Sequence, residues 1–260
     1  MEELPKAPAL LITELRKDAN CEKHGAFESK GFQMLRHVHW SDCGKCSSEK
    51  KQEQDAAQAK FDAQRAQERA ESMLNRAGIP LRFRTKDFNT YIADTDGKEK
   101  ALSVAMQFAS DFAQHSTKGT VAVFSGLPGT GKSHLAIAVA QAILANYTVL
   151  YISAIDAIRL VRDTWRKGSE KTETEVLEQL ASIDLLILDE IGVQYGKDSE
   201  QITLFDIIDK RYRDMRPMIL LTNQNRAGMK EFLGDRSFDR LREGGIWVTF
   251  DWPSERGNQV

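Results

Sequence analysis

The sequence has no apolar run approaching the roughly 20 residues that a membrane-spanning helix needs, so it predicts no such helix. The stretch 1–15 also lacks the charge-then-apolar order of a secretory signal peptide. Cysteine is scarce, with only Cys21, Cys43 and Cys46, all in the first fifth of the chain. An odd cysteine count without a secretion signal argues against a disulfide scaffold and favours a reducing compartment. We therefore expect a cytoplasmic protein with no membrane partner.

The chain also lacks a strong charge of either sign, since its formal net charge is only −2. This excludes a generally basic surface, so any surface that attracts nucleic acid must be local. With 260 residues, the chain is long enough for one α/β domain and a small additional module. We expect a cysteine-containing module at 1–48, a polar helix or linker at 49–77 and the large domain at 78–260.

The second segment has neither glycine nor proline and is rich in strong helix formers, which predicts a helix over about 48–77. Small apolar residues recur along it at spacings of four and three. They are Ala59, Ala63, Ala66, Ala70, Met73 and Ala77. Because this stripe is narrow and buries little surface, the helix either docks on a partner or stands as a solvated connector.

The third segment alternates between predicted strands and predicted helices. The strands are expected at 121–125, 148–152, 184–189, 218–222 and 247–250. The helices are expected at 98–115, 134–144, 154–167, 173–180, 201–215 and 238–243. This alternation predicts an α/β fold with a parallel sheet and helices on both of its faces.

The stretch 126–133, GLPGTGKS, fits the phosphate-loop pattern G-x-x-x-x-G-K-[ST] at every fixed position. A predicted strand precedes it and a predicted helix follows, which directs backbone N–H groups and the positive helix end at phosphates. Lys132 would reach the β- and γ-phosphates, and the Ser133 hydroxyl would ligate Mg²⁺. The stretch therefore predicts a nucleoside triphosphate site, against the alternative of a glycine-rich turn that binds nothing.

An acidic pair follows about 55 residues later, at the end of the apolar strand 184–189. Asp189 would hold Mg²⁺, usually through water, and Glu190 would act as the general base on the attacking water. The alternative for Glu190 is a plain surface acid.

Another apolar strand, 218–222, ends at Thr222 and Asn223. Because ligands gather at the carboxyl ends of parallel strands, either residue could bond the γ-phosphate or the water, or both could simply open a turn.

The predicted helix 154–167 carries Arg159, Arg162 and Arg166 at spacings of three and four, which places them on one face. Its apolar stripe ends at Trp165. A basic face beside an aromatic side chain suits sequence-independent binding of single-stranded DNA, through phosphate contacts and base stacking. The alternative is a solvated basic helix with Trp165 buried in the core.

The cysteines and one histidine form the pattern C-x₂-H followed by C-x₂-C, with 18 residues between the pairs. Three thiolates and one imidazole suit a closed, tetrahedral structural Zn²⁺ site. The predicted ligands are Cys21, His24, Cys43 and Cys46. A segment this small cannot fold on its own core, so the metal would supply the missing stability. The alternatives are unliganded thiols in a floppy tail, or His37 or His39 in place of His24.

These motifs together resemble a known family. The sequences GLPGTGKSHLA, DLLILDEIGVQ, LLTNQN, LGDRSFDRLRE and WVTFDWPSER are similar to those of the DnaC-type replicative helicase loaders of bacteria and phages, which are AAA+ ATPases. The similarity runs from about residue 74 to 256. It implies a P-loop AAA+ domain at 78–260 that hydrolyses ATP with Mg²⁺.

The resemblance implies roles for further residues. Asn223 matches the sensor-1 residue, Arg240 the arginine finger that reaches an adjacent subunit, and Arg256 the sensor-2 arginine. From the residues alone, these arginines could equally be surface residues. The catalytic set is then Lys132, Asp189, Glu190, Asn223 and Arg240. The nucleotide-binding set is Gly126, Pro128, Gly129, Thr130, Gly131, Lys132, Ser133, His134 and Arg256. The DNA-contacting set is Arg159, Arg162, Trp165 and Arg166.

Members of this family form a spiral of subunits, bind a DnaB-type hexameric helicase and hold single-stranded DNA. The resemblance therefore implies a helicase loader that self-associates into a spiral or a hexamer-like oligomer. The best-known loaders lack the cysteine module, so we assign helicase binding to the N-terminal region and the polar helix, without naming residues. Two alternatives remain: an IstB-like transposase-helper AAA+ ATPase, and a zinc-dependent adaptor whose nucleotide domain switches without appreciable turnover.

Overall fold

A computed structural model of the chain describes residues 14–34, 37–192 and 198–256. The chain divides into two compact units, Met1–Arg69 and Ala70–Val260. Each unit contains its own β-sheet. In the part of the chain that the structure describes, no helix combines the length and the apolar character that crossing a membrane requires.

The first unit contains a three-stranded antiparallel sheet and most of a long helix. The strands are β1 Glu14–Cys21, β2 Gly25–Met34 and β3 His37–Trp40, in the order β1-β2-β3, and the helix is α1 Gly44–Arg76. The sequence does not predict this sheet. Of the described positions between 15 and 50, only Ser29, Gly31 and Cys43 are buried, so the strands lack the alternation that marks a half-buried sheet.

Helix α1 begins at Gly44, four residues before the predicted start of the polar helix. Cys46 therefore lies in its first turn rather than in a loop before it. The described side chains from Lys50 to Met73 are all exposed, including Ala59, Ala63 and Ala70 of the apolar stripe, whereas Ala77 at the end of the stripe is buried. Both alternatives for this helix, a docking surface and a solvated connector, remain compatible with that exposure.

The second unit is built on a five-stranded parallel sheet with helices on both faces. Its strands are β4 Val121–Gly126, β5 Val149–Ser153, β6 Leu185–Ile191, β7 Met218–Thr222 and β8 Ile246–Phe250, in the order β5-β6-β7-β4-β8. Its helices are α2 Asp96–Ser110, α3 Phe112–Lys118, α4 Lys132–Ile143, α5 Ala154–Asp163, α6 Glu173–Ser182, α7 Asp198–Arg213 and α8 Arg226–Arg242. The predicted α/β fold is confirmed, and each predicted strand is present with ends within two residues of the prediction.

Two hydrophobic clusters cover the two faces of this sheet. Strand β6 contributes to both, since Leu185 and Ile187 lie in one cluster and Leu186 and Leu188 in the other. Helices α2, α3 and α4 supply the first cluster, and α5 to α8 supply the second. Because both faces are covered, the strands are continuous apolar runs, which the sequence reveals directly.

In two regions, the helices begin, end or bend at positions that the sequence does not predict. The predicted helix 98–115 is two helices, α2 and α3, which meet at Asp111. The predicted helix 238–243 is only the end of α8, which begins at Arg226 and bends at Gly234, where φ is 75° and ψ is 163°. This backbone conformation is accessible essentially only to glycine, and the bend interrupts the helical periodicity that the sequence displays.

Helix α5 is shorter than predicted, because its last turn closes at Thr164. The backbone N–H and the hydroxyl of Thr164 both donate to the Val161 carbonyl, at 3.1 and 2.6 Å. Such bonds to the third preceding residue tighten and end a helix. Trp165 and Arg166 therefore lie beyond α5, and the prediction that the three arginines share one helix face is wrong for Arg166.

Candidate functional site

The stretch 126–133 joins the end of β4 to the start of α4, as the phosphate-loop pattern predicts. Gly131 occupies the N-cap of α4, and no side chain caps this end. The first N–H groups of a helix have no partner within it, and the helix dipole makes this end positive. The loop and the N-terminus of α4 therefore form a site suited to binding anions.

Lys132 is buried beside this loop. Its Nζ donates to the carbonyl oxygens of Gly126 at 2.6 Å and Leu127 at 2.7 Å. Burial lowers the pKa of Lys132 to about 8; the Asp189 charge opposes this shift and the Arg256 charge adds to it. Lys132 thus lies within electrostatic reach of both side chains.

Asp189 connects the acidic strand end to the P-loop. Its Oδ2 accepts hydrogen bonds from the Ser133 hydroxyl at 3.0 Å and from the Tyr151 hydroxyl. Burial and the Asp189 charge raise the pKa of Tyr151, which keeps its phenol protonated. The Ser133 and Asp189 oxygens are ligands of the kind that Mg²⁺ prefers, so the residues present fit this ion. Sequence reasoning missed Tyr151, because an aromatic residue in a strand usually signals core packing.

Glu190 has a left-handed backbone, with φ at 62°, next to the Asp189 carboxylate. It lies where the register of β6 against β7 shifts between Leu188 and Ile191. Its N–H donates to Asp189 Oδ1 at 2.7 Å, and its own side chain is exposed. Bulges and strained backbones of this kind are over-represented at functional sites, where they aim a side chain out of the sheet.

The polar end of β7 lies beside β4 and β6 in the sheet. Thr222 is buried, and its hydroxyl donates to the Ile191 carbonyl at 2.8 Å, which links β7 to the bulged end of β6. Asn223 is exposed at this edge. The Thr222 hydroxyl also accepts from the Gln224 N–H at 3.0 Å, as the alternative of a turn predicts for Thr222, and the N-cap of α8 is Asn225.

Three further residues of the predicted nucleotide-binding set, Thr130, Pro128 and His134, differ in their burial and contacts. Thr130 is buried and bonds within the loop, whereas Pro128 is exposed. His134 faces the segment before α2, since its Nε2 lies 2.9 Å from the Asp87 carbonyl oxygen and 3.2 Å from the Thr90 hydroxyl. Burial lowers the pKa of His134.

The segment after β8 lies directly on the P-loop. The indole N–H of Trp252 donates to the Thr130 carbonyl at 2.9 Å. The N–H of Glu255 donates to the Gly129 carbonyl, also at 2.9 Å. This brings Arg256, on an exposed part of the segment, beside the P-loop, which its spacing along the chain alone does not reveal.

Arg240 makes its described contacts on α7. Its guanidinium forms an ion pair with Asp209 and lies 5.2 Å from the Phe205 ring and 5.3 Å from the Tyr212 ring. Its side chain is only 26% exposed. Arg240 is therefore engaged within its own chain.

The predicted zinc ligands converge in the first unit. The donor atoms of Cys21, His24, Cys43 and Cys46 all lie within 4.8 Å of one another. His24 Nδ1 is 3.3 to 3.8 Å from the three sulfurs, and the Cys21 and Cys46 sulfurs are 3.5 Å apart. A tetrahedral zinc with three thiolates and one imidazole has donor separations of about 3.5 to 3.8 Å, so the cluster fits this ion.

Glu49 holds the histidine of this cluster from the opposite side. Its Oε1 lies 3.1 Å from His24 Nε2, and its Oε2 accepts from Lys23 Nζ at 2.5 Å. A carboxylate on the outer nitrogen fixes the ring so that the other nitrogen faces the metal. Sequence reasoning missed Glu49, although it lies three residues after Cys46 and so on the same face of α1.

Each predicted DNA-contacting arginine has a carboxylate partner. Arg159 pairs with Asp156 at 2.9 Å, Arg162 with Glu200 at 3.3 Å, and Arg166 with Asp163 at 2.9 Å. Trp165 is 54% exposed, which contradicts its placement in the core, and its indole N–H donates to Glu173 at 2.8 Å.

The sequence model of the family described as IstB-like ATP binding protein matches residues 44–241. The chain is 39% identical over 199 residues to the uncharacterized protein YdaV of Escherichia coli strain K12, covering 76% of this chain and 78% of YdaV. It is 38% identical over 187 residues to the replicative helicase loader DnaC of the same strain, covering 70% of this chain and 74% of DnaC. The crystal structure of the DnaC helicase loader shares its fold, with a TM-score of 0.59 and 23% identity over 65% of this chain and 99% of that one. The chain therefore belongs to the IstB/DnaC-type AAA+ family of ATP-binding proteins.

Proposed function

We propose that this protein hydrolyses ATP with Mg²⁺ and uses that cycle to load a DnaB-type hexameric replicative helicase onto single-stranded DNA. The observation that carries the proposal is the contact between the P-loop Ser133 and Asp189 at 3.0 Å, with Glu190 beside them. It occurs in a chain 38% identical to the replicative helicase loader DnaC.

In this proposal, the N–H groups of the P-loop and Lys132 bind the triphosphate. Ser133 and Asp189 would hold Mg²⁺, which would neutralise charge on the phosphates. Glu190 orients the attacking water and takes its proton, and Asn223 bonds that water or the γ-phosphate. Arg256 contacts the phosphates from the same chain.

The proposed oligomer is a spiral or a hexamer-like oligomer in which Arg240 reaches the site of a neighbouring subunit. Because Arg240 is paired with Asp209 in the single chain, it must exchange this carboxylate for the neighbour's phosphate. Assembly then depends on a bound triphosphate that can compete with Asp209.

The proposed contact with single-stranded DNA is supported by the surface around α5. Arg159 and Arg166 are 63% and 80% exposed, and Trp165 presents an open ring for base stacking. The segment from Ala154 to Lys171 carries five basic and three acidic residues. On binding DNA, Arg159 and Arg166 would exchange their carboxylate partners for phosphates.

The proposed N-terminal module, 1–48, binds one Zn²⁺ through Cys21, His24, Cys43 and Cys46. Together with the polar helix, 49–77, it supplies the docking surface for the helicase, and the ATPase domain occupies 78–260. The exposed face of α1 is available for such a partner.

Steady-state ATP hydrolysis tests the catalytic assignment. Lys132→Ala should abolish nucleotide binding, because it removes the cation that meets the phosphates. Glu190→Gln should still bind ATP but turn over about 100-fold more slowly, since it loses the base. Unchanged turnover of the Glu190→Gln protein would contradict this role.

The second candidate is a transposase-helper ATPase, which the match to the IstB-like family model favours. Two measurements separate the candidates: co-purification with a DnaB-type helicase, and binding to single- and double-stranded DNA at matched salt. A loader should retain the helicase and prefer single strands. Preference for duplex DNA without helicase retention would favour the transposase-helper.

A further inference from the structure

Lys98 is a buried cation that the nucleotide chemistry described so far does not use. It lies on α2 with its side chain only 5% exposed. Its Nζ donates to Asp94 at 2.6 Å and to Glu255 at 2.5 Å, and both carboxylates raise the pKa of Lys98. A lysine is rarely buried unless carboxylates compensate its charge, so this arrangement depends on its two partners.

The two partners differ in what they connect. Asp94 lies four residues before Lys98, so that contact is local. Glu255 lies at the other end of the domain, in the segment that follows β8. The contact with Glu255 therefore ties α2 to the C-terminal segment.

Glu255 is held from two directions. Its side chain contacts Lys98, and its backbone N–H donates to the Gly129 carbonyl of the P-loop. The approach to the loop is close, because a Cβ on Gly129 would lie 2.0 Å from the Ser254 hydroxyl and 3.0 Å from Arg256 Cγ. Arg256 thus follows directly on a residue that is bonded both to α2 and to the P-loop.

We propose that Lys98 and Glu255 are positioning residues, which hold the segment 252–256 on the P-loop and thereby set where the Arg256 guanidinium meets the nucleotide phosphates. This inference rests on the proposed function, since it requires ATP at the P-loop. Because an arginine at the γ-phosphate distinguishes ATP from ADP, the ion pair acts on nucleotide selectivity as well as on affinity.

Equilibrium binding of fluorescent ATP and ADP analogues to the full-length protein tests the inference. Glu255→Gln should weaken ATP binding about tenfold and ADP binding less, so that the ratio of the two affinities approaches that of Arg256→Ala. Asp94→Asn is the matched control. It removes the other carboxylate from the same lysine and should leave both affinities within about twofold.

The double variant Glu255→Gln/Arg256→Ala separates positioning from general stability. If Glu255 acts through Arg256, Glu255→Gln should change the ATP-to-ADP ratio little in the Arg256→Ala background. Equal effects of Glu255→Gln and Asp94→Asn on binding, or an undiminished effect in the Arg256→Ala background, would overturn the inference. If the wild-type protein bound no ATP, both this inference and the proposed function would fail; ATP binding that Glu255→Gln leaves unchanged would remove the inference alone.

Discussion

The protonation of the P-loop lysine depends on residues from distant parts of the chain. The motif places Lys132 at the phosphates, but its charge depends on burial and on Asp189 and Arg256, which lie on other elements. Glu49 and His24 show the same dependence in the first unit, where a residue of α1 orients a ligand that follows β1.

We predict that the affinity for ATP decreases as pH rises from about 7.5 to about 9.5. The pKa of Lys132 is lowered to about 8, so the ammonium is present below that pH and lost above it. Above pH 8 the lysine must take up a proton before it can pair with a phosphate, which reduces affinity by up to about tenfold per pH unit. Equilibrium binding at constant ionic strength measures this.

The control for the pH experiment is Lys132→Arg, whose guanidinium stays protonated across the whole range. Its ATP affinity should be nearly independent of pH, whatever its absolute value. A flat profile for the wild-type protein would mean that Lys132 keeps an ordinary pKa and that burial does not affect its charge.

We predict that Glu49→Gln weakens Zn²⁺ binding about 10- to 100-fold, because it removes the carboxylate that orients His24. Competition with a chromophoric chelator measures the affinity. Glu53→Gln, an exposed change one turn further along α1, should leave it unaltered. Equal zinc affinity of the Glu49→Gln and wild-type proteins would show that His24 needs no such partner.

At the scale of elements, a buried arginine adds hydrogen bonds between helices and strands that already pack in one hydrophobic cluster. Arg211 on α7 is fully buried. It donates to the carbonyl oxygens of Leu180 at 2.5 Å, Pro217 at 2.7 Å and Asp184 at 3.3 Å. It thus donates hydrogen bonds to carbonyl oxygens at the end of α6 and just before β6 and β7, the strands whose carboxyl ends carry the acidic pair and Asn223.

We predict that Arg211→Met lowers the free energy of unfolding by about 3 kcal/mol, because it removes the guanidinium donors from three carbonyl oxygens. Urea denaturation of the zinc-saturated protein measures this. Arg213→Met, on the same helix but 64% exposed and paired with Asp209, should cost no more than about 0.5 kcal/mol. Similar losses for both variants would mean that the carbonyl bonds contribute little.

At the scale of the whole molecule, the two units are stabilised by different means. The second unit has two hydrophobic clusters around a parallel sheet. In the first unit, the described positions between 15 and 50 include only three buried ones, and one of these is the predicted ligand Cys43. A core this small requires additional stabilisation, which the cysteine and histidine cluster would supply by binding metal.

We predict that removing zinc with a strong chelator unfolds the sheet β1-β2-β3 and leaves the P-loop unit folded. Hydrogen exchange should show loss of protection in β1 and β2, while the amides of β4 and β6 stay protected. Cys46→Ser should reproduce the effect without a chelator. Unchanged protection in β1 and β2 after zinc removal would show that the sheet is stable without metal.

Much of this protein could be predicted from sequence because the relevant signals are local. The buried strands are continuous apolar runs, since both faces of the sheet are covered, and phosphate binding needs the contiguous residues 126–133. The acidic pair Asp189 and Glu190 follows its strand directly, and metal-ligand spacing marks the four residues of the cysteine cluster. In each case, the signal lies in residues a few positions apart, and the cysteine cluster consists of two such short pairs.

Other features follow only from the tertiary structure. The sheet β1-β2-β3 is mostly exposed, so no alternating apolar pattern in the sequence predicts it. The end of α5 depends on the turn that closes at Thr164. The contacts of Tyr151 with Asp189 and of Glu255 with Lys98, and the ion pair of Arg240, join residues far apart in sequence. The sequence alone therefore determined that a nucleotide site exists and where its loop lies. Packing decided which distant charges surround that loop, because contacts between elements depend on how the elements are arranged in space and not on spacing along the chain.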